Sequence, residues 1–362
     1  MRDTILAINP GSTSTKVSLF SNGNLMSEET IRHSREELAQ FPQVMDQKNF
    51  RKALIQEFLD EQGMRAEDFV AVAGRGGLLK PIPGGTYLVD EAMLEDLRSE
   101  KYGTHASNLG AILAAEFAKE FHVKPYIVDP VVVDEFHPVA RISGLKGIVR
   151  RATAHVLNQK AVARAVLEFH GRTYKNSHVI VAHLGGGISI GAHKNGKIID
   201  ANNGLDGEGP YTPERTGGLP VMAFAEKILK EKLTMPEIKQ LLAGNGGLKS
   251  YMNETDVRVI TAQMAHGNRE AKYYLDGMCY QIQKEIGEMA AVLEGKVDFI
   301  ILTGGMSFSD YVVEKIKERV SWIAPVEVLA GEMEMKALYE GVSRVLNHEE
   351  SAKCYAEIEV AI

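Results

Sequence analysis

The chain has 362 residues, of which 44% are hydrophobic and 25% charged, and a formal net charge of −7. This length holds two ordinary domains with a core each, and the composition excludes a disordered chain. The negative balance argues against a nucleic-acid or membrane-surface partner, so an anionic ligand would need a local cluster of positive charge. The cysteines, Cys279 and Cys354, lack metal-ligand spacing and fit a reducing, cytoplasmic location. The first strand pattern starts within a few residues, which leaves no room for a signal peptide, and no apolar run reaches membrane-spanning length.

In chain order, Ile5-Leu6-Ala7-Ile8 reads as a strand, and Asn9-Pro10-Gly11-Ser12-Thr13-Ser14-Thr15-Lys16 as a small-residue loop. Val17 and Leu19 then alternate with polar residues up to an Asn22-Gly23 turn, and residues 1–31 form a hairpin. Gly11 permits close ligand approach, successive backbone N–H groups with four hydroxyls suit an anion, and Lys16 adds a point charge. No G-x-x-x-x-G-K-[ST] loop occurs. Asn49 is placed to cap a helix that carries Phe50, Leu54, Ile55, Phe58 and Leu59 on one face. Val70–Ala73 is a buried-type strand, and Gly74-Arg75-Gly76-Gly77 follows as a loop whose glycines would leave room for a ligand. Helical spacing covers 90–100 and 107–121. Pro125–Val128 is a strand with Asp129 at its end, where ligands of open α/β sheets gather. Periodicity fades between 138 and 152, where the domain boundary is placed.

The second half opens with a helix through Val156, Val162, Ala163 and Val166. Val179–Ala182, His183-Leu184-Gly185-Gly186-Gly187, Ile188-Ser189-Ile190 and Asn195-Gly196 then repeat the order strand, small-residue loop, alternating strand, Asn-Gly turn. The two loops lie 174 positions apart (185 − 11), about half the chain, which suggests two similar domains facing each other across a polyphosphate. Residues 202–220 are long and irregular, a pattern usually functional or mobile. Thr234 and Glu237 have capping-box spacing for a helix ending at Gly244. Leu275 to Leu293 carry the stripe of a long core helix. Phe299–Leu302 is a strand, Gly304-Gly305 a strand-to-helix turn suited to a flat or anionic ligand, and Ser309 the cap of the next helix. A last helical pattern covers 333–346.

The duplicated strand–loop–hairpin resembles the phosphate-binding elements of the actin, hexokinase and heat-shock-chaperone ATPase superfamily. Ile8–Lys16 is similar to the opening of the acetate kinases. Ala73–Tyr87, Ile127–Glu135 and Leu157-Asn158-Gln159-Lys160-Ala161 resemble their butyrate kinase branch, and the resemblance runs from residue 1 to about 347. It implies an α/β fold, a duplicated ribonuclease H-like (actin-like ATPase) two-domain architecture with a cleft between domains. The boundaries expected are 1–150 and 151–347, with a tail, 348–362, available to pack back on the first domain. It also implies ATP-dependent, Mg2+-assisted phosphorylation of a short-chain fatty acid to an acyl phosphate and ADP, most specifically of butanoate, in a cytoplasmic homo-oligomer. Acetate, propionate or branched acids are the alternatives within this class. An actin-like interaction protein gated by nucleotide lies outside it, as does a sugar kinase using Asp129 as base.

The chemistry sets the expected site. Phosphoryl transfer to a carboxylate crowds anions together, so it needs fixed positive charge, oxygen-directed donors and a metal on the polyphosphate, while the already ionised acceptor needs no strong base. Arg75 and Arg215 offer guanidinium forks for carboxylate and phosphoryl oxygens. By resemblance Asn9 contacts the migrating group, His183 lies near the phosphates, and Asp129 orients an arginine or holds magnesium through water, with Asp134 as its competitor. Ser12, Ser14, Lys16, Gly185, Gly186 and Gly187 are the expected phosphate contacts, and Gly304 and Gly305 the adenosine turn. The sequence departs from the acetate kinases in two places. Their His-Gly-Thr-Ser-His run reads Arg151-Ala152-Thr153-Ala154-His155 here, so either Arg151 or His155 fills the role of the earlier histidine. Ser307-Phe308-Ser309 replaces a glutamate linked to magnesium, which leaves Asp129, or Glu332 or Glu334 from elsewhere, for that task.

Overall fold

The computed structural model describes residues 3–358. Contacts divide it into two units, Met1–Asp134 with Met333–Ile362, and Glu135–Glu332. The division falls at 134/135 rather than near 150, and the last helix and the tail as far as residue 358 belong to the first unit rather than continuing the second, while 359–362 lie outside the described residues. Periodicity reveals a helix but not the sheet it covers, which is why the sequence placed 333–346 with its chain neighbours.

In the first unit β1 (Thr4–Pro10), β2 (Ser14–Ser21) and β3 (Asn24–Arg32) form an antiparallel meander. β4 (Phe69–Arg75) runs parallel to β1, and β6 (Lys124–Val128) parallel to β4. β5 (Thr86–Leu88) lies antiparallel to β6, and the short strand Lys353–Cys354 closes that edge. Helices cover both faces. Leu19 joins the cluster of Leu6, Ile8, Ile55, Phe58, Leu109 and Leu113, whereas the next residue, Phe20, stacks on Tyr339 of the helix Glu334–Leu346 at 4.8 Å. Successive strand residues point to opposite faces, so the helices Lys48–Glu61 and Asn108–Phe121 lie on one side and Glu334–Leu346 on the other. The helix expected to be capped by Asn49 begins at Lys48, directly after a 3-10 turn, and Asn49 falls within its first turn.

The second unit repeats the plan. β7 (His178–Leu184), β8 (Ile188–Lys194) and β9 (Lys197–Ala201) form the meander, with β10 (Phe299–Gly304) parallel to β7 and β11 (Val326–Ala330) parallel to β10. The order β11-β10-β7-β8-β9 reproduces β6-β4-β1-β2-β3 strand for strand. The two hairpin turns match in backbone too: Asn22 and Gly23 have φ 49 and 84°, Asn195 and Gly196 φ 50 and 83°. Positive φ at both central residues is the type I′ turn that suits strand twist. The long helix Arg269–Val292 buries Leu275, Met278, Cys279, Ile282, Ile286 and Met289 in this unit's core. Burial pushes the Cys279 thiol up to about 12, so it is a packing group rather than a nucleophile.

Candidate active site

The first unit gathers one set of groups at the ends of its strands. The loop after β1 closes where the Gly11 N–H donates to the Ser14 carbonyl at 2.7 Å. Ser12 and Thr13 are exposed and Ser14 half-buried, so hydroxyls line the rim of this turn. Asn9, at the end of β1 and buried, donates through Nδ2 to Glu334 Oε2 at 2.8 Å. Arg75, at the end of β4, donates from Nη1 to Asn9 Oδ1 at 3.1 Å and to the same Glu334 oxygen at 2.9 Å. Parallel pairing of β1 and β4 brings Asn9 and Arg75 together across 66 residues.

The glycines around Arg75 do other work than the sequence suggests. A Cβ on Gly74 would lie 2.2 Å from the Gly110 carbonyl, on Gly76 2.3 Å from Pro130 and on Gly77 2.5 Å from Asn108. They admit the helix Asn108–Phe121 and the Asp129-Pro130 turn, and so fix Arg75 against solid packing rather than leaving space for a ligand. His105 is a neighbour that sequence reading did not single out. Burial, and then the Arg75 charge, hold its pKa below the ordinary histidine value.

Asp129 ends β6 with φ +39°, a sparsely populated conformation for a residue with a side chain, and is buried. Its Oδ1 accepts the Gly85 N–H at 2.7 Å while its own N–H binds the Gly85 carbonyl. Asp134 lies beyond the turn, its backbone N–H tied to Ile82. Lys16 reaches Glu28 on β3 at 2.7 Å, an ion pair on the hairpin.

The second unit gathers the other set. The Gly185 N–H donates to the Gly187 carbonyl, closing this loop much as Gly11 and Ser14 close theirs. The Thr212 hydroxyl donates to the Gly186 carbonyl at 2.7 Å and accepts from the Arg215 N–H, so the irregular 202–220 segment is pinned to the glycine loop. Asn202 adds two bonds, accepting from Ile190 N–H and donating to the Ile188 carbonyl. The Arg215 guanidinium lies against Gly187, where any Cβ would come within 2.4 Å of it. Among the described residues it has no side-chain hydrogen bond or ion pair. Burial lowers its pKa, partly offset by the neighbouring Glu214 charge. A half-buried guanidinium with five unengaged donors is built to receive an anion.

His183 ends β7 and is buried. Its Nδ1 lies 2.9 Å from Asn158 Nδ2, an amide that can only donate, so the neutral ring carries its proton on Nε2. His155 stacks on His183 with centroids 3.9 Å apart, and its Nδ1 contacts the Ser189 hydroxyl at 2.8 Å. Arg151 is exposed and pairs with Asp206. Of the two candidates for the departed histidine position, His155 is the one brought to His183. The Asn158-Gln159-Lys160 run is buried throughout: Asn158 orients His183, Gln159 binds Ser189 and His193, and Lys160 pairs with Glu135 at 2.8 Å.

Gly304 has φ +87° and a Cβ there would meet the Leu184 carbonyl at 2.5 Å. Gly305 follows in a 3-10 turn, and Ser309 caps the next helix by accepting the Val312 N–H. A cavity of about 760 Å³ lies between this turn and the Gly185-Gly186 loop, with Asp256, Val257 and Arg258 in its wall. The Asp256–Arg258 side-chain hydrogen bonds hold the carboxyl down at about 2. Sequence reading passed over these three. Their only local signal is Asp256 as the cap of the helix Val257–Ala265.

Comparison with known proteins bears on family and fold. The model of the Acetokinase family matches residues 138–359. A probable butyrate kinase of Enterococcus faecalis is 62% identical over 358 residues, covering 99% of both chains. The crystal structure of Porphyromonas gingivalis acetate kinase superposes with a TM-score of 0.77 at 18% identity, covering 94% of this chain and 99% of that one. A propionate kinase from Francisella tularensis gives 0.71 at 18% identity, covering 94% and 98%. These likenesses establish the two-domain, actin-like fold, and with the family match and the near full-length relative they place the chain in the acetokinase family.

Proposed function

We propose that this protein is a butyrate kinase, forming butanoyl phosphate and ADP reversibly from butanoate and ATP. One observation carries the chemistry: Arg215, a half-buried guanidinium with no side-chain hydrogen bond or ion pair among the described residues, is held against a bare glycine loop. The identity with a probable butyrate kinase supports the choice of acid. A carboxylate oxygen attacks the γ-phosphorus, the bond from that phosphorus to the β–γ bridging oxygen breaks, and ADP leaves with the electron pair. No proton need move. Arg75 and Arg215 counter the charge gathered on the equatorial oxygens, Asn9 donates to the migrating group, and His183 Nε2–H donates to a phosphate oxygen. Ser12, Ser14, Lys16 and Gly185 to Gly187 contact the polyphosphate, and Gly304-Gly305 with the 256–258 wall receives adenosine.

The described residues contain no cluster of three or more histidine, cysteine or acidic side chains placed for a metal. They suit a magnesium ion carried on the nucleotide, which needs only one or two carboxylates besides phosphate and water. Asp129 and the Glu334 oxygen not engaged by Arg75 and Asn9 would hold it, where it would neutralise phosphate charge.

Rates with straight and branched acids of two to five carbons, read by hydroxamate trapping, test the assignment. Butanoate should be best. Best activity on acetate would reject the acid, and ATP turnover indifferent to any acid would favour a nucleotide-gated interaction protein. We also infer a cytoplasmic homo-oligomer. The helix Val221–Glu231 buries none of its residues and exposes Val221, Met222 and Leu229, and no described helix is long and apolar enough to cross a membrane. A monomer by light scattering at micromolar concentration would remove the oligomer.

A further inference from the structure

Behind the first phosphate loop stands a charge that the reaction above does not use. Arg51, on the helix Lys48–Glu61, is fully buried, and among the described residues no carboxylate lies within ion-pair distance of it. Its Nη1 donates to the Ser14 carbonyl and to the Thr15 hydroxyl, both at 2.9 Å. Its Nε and Nη2 both donate to Gln47 Oε1, at 3.1 and 2.8 Å. The Ser14 carbonyl is the same atom that accepts the Gly11 N–H and closes the loop. His33 Nε2 contacts the same Thr15 hydroxyl at 2.9 Å, and its buried Nδ1 has no partner among the described residues. Its pKa is lowered by burial and then by the Arg51 charge, with the Glu37 charge opposing.

A buried ion without a counter-ion is costly, and neutral hydrogen bonds offset only part of the cost. Burial lowers the Arg51 pKa to about 10, which leaves it charged at neutral pH. A packing role would be met by an apolar side chain. What an apolar side chain lacks is a fixed positive field directly behind a loop of exposed hydroxyls and N–H groups, and the anion that completes such a site is a polyphosphate.

We propose that Arg51 is a positioning and electrostatic residue for the nucleotide phosphates: it fixes the Gly11–Thr15 turn through Ser14 and Thr15, and its charge is balanced by the bound polyphosphate rather than by a protein carboxylate. This rests on reading Asn9–Lys16 as a phosphate loop.

The test is calorimetric binding of ATP, ADP and adenosine to full-length Arg51→Lys and Arg51→Met proteins without any acid present. Arg51→Met should weaken ATP about tenfold, ADP less, and adenosine little. Arg51→Lys, which keeps the charge and loses the fork, should stay within about threefold of wild type on ATP. An equal loss on all three ligands, or a lysine variant as weak as the methionine one, would overturn the proposal in favour of a structural role. So would unchanged ATP affinity in Arg51→Met. If Arg51→Met does not fold, the lysine variant decides alone, since a tenfold loss there contradicts a role of charge. Because no acid is added, failure of the butanoate assignment leaves this result unaffected.

Discussion

Arg75 and Glu334 share a 2.9 Å ion pair, and Asn9 donates to the same carboxylate oxygen. The arginine is thus held at a defined position by a side chain 259 residues away in sequence. If Arg75 stabilises the crowded phosphoryl oxygens, Arg75→Ala should lower kcat by roughly a hundredfold, the effect of losing about 3 kcal/mol in the transition state. ADP affinity should change far less, and Arg75→Lys should recover only part of the rate. Steady-state rates with acid varied, beside ADP calorimetry, make the check. Near wild-type turnover in Arg75→Ala would move the site elsewhere.

Gly187→Ala tests Arg215 without touching it. The added carbon would lie 2.4 Å from the guanidinium, which must swing away. The expected result is a fall in kcat of about tenfold or more with the fold retained, since small misplacements of a catalytic group are costly. Circular dichroism and initial rates suffice, and an unchanged kcat would show that the seat of Arg215 against this loop does not matter.

At Gly304 both the backbone and the space forbid a side chain. Gly304→Ala should cost about 2 kcal/mol or more, from strain at φ +87° together with the 2.5 Å approach to the Leu184 carbonyl. Urea unfolding should show a lowered midpoint. A midpoint equal to that of wild type would mean that β10 ends differently from the arrangement described.

Glu285 gives stability a pH dependence. Burial, then the nearby Glu288 charge, push its carboxyl up to about 7. A folded-state pKa raised above the unfolded one contributes stability that is complete below the unfolded value and lost as pH rises through the folded value. The loss should therefore develop from about pH 4.5 to about pH 7 and reach up to about 3 kcal/mol. Glu285→Gln should match wild type near pH 4 and exceed it at pH 8 in unfolding free energy. Equal stability at both pH values would refute this.

The repeat was legible because its parts are local. Apolar run, small-residue loop, alternating strand and Asn-Gly turn are each written in consecutive residues, and the structure returns both turns with the same positive φ pair. Legibility failed where partners are distant. Nothing near Glu334 points to Arg75, since only the return of the chain to the first sheet brings them together. Gly74, Gly76 and Gly77 read as room for a ligand because a sequence cannot show that a helix backbone fills that room. Nothing in the sequence sets Arg51 apart from the other charged residues of its helix, and only the fold shows that it is buried.

The chain leaves the first unit at Asp134 and re-enters it at Met333. The second unit is therefore contiguous, while the first is assembled from two ends of the polypeptide. On the ribosome the contiguous unit has all its strands available before the helix Glu334–Leu346 exists. Asn9 and Arg75 are synthesised well before the carboxylate that fixes them, which follows Arg75 by 259 residues. A nascent chain arrested before residue 334 would therefore expose Arg75 without its anchor and leave the Phe20 face of the first sheet bare.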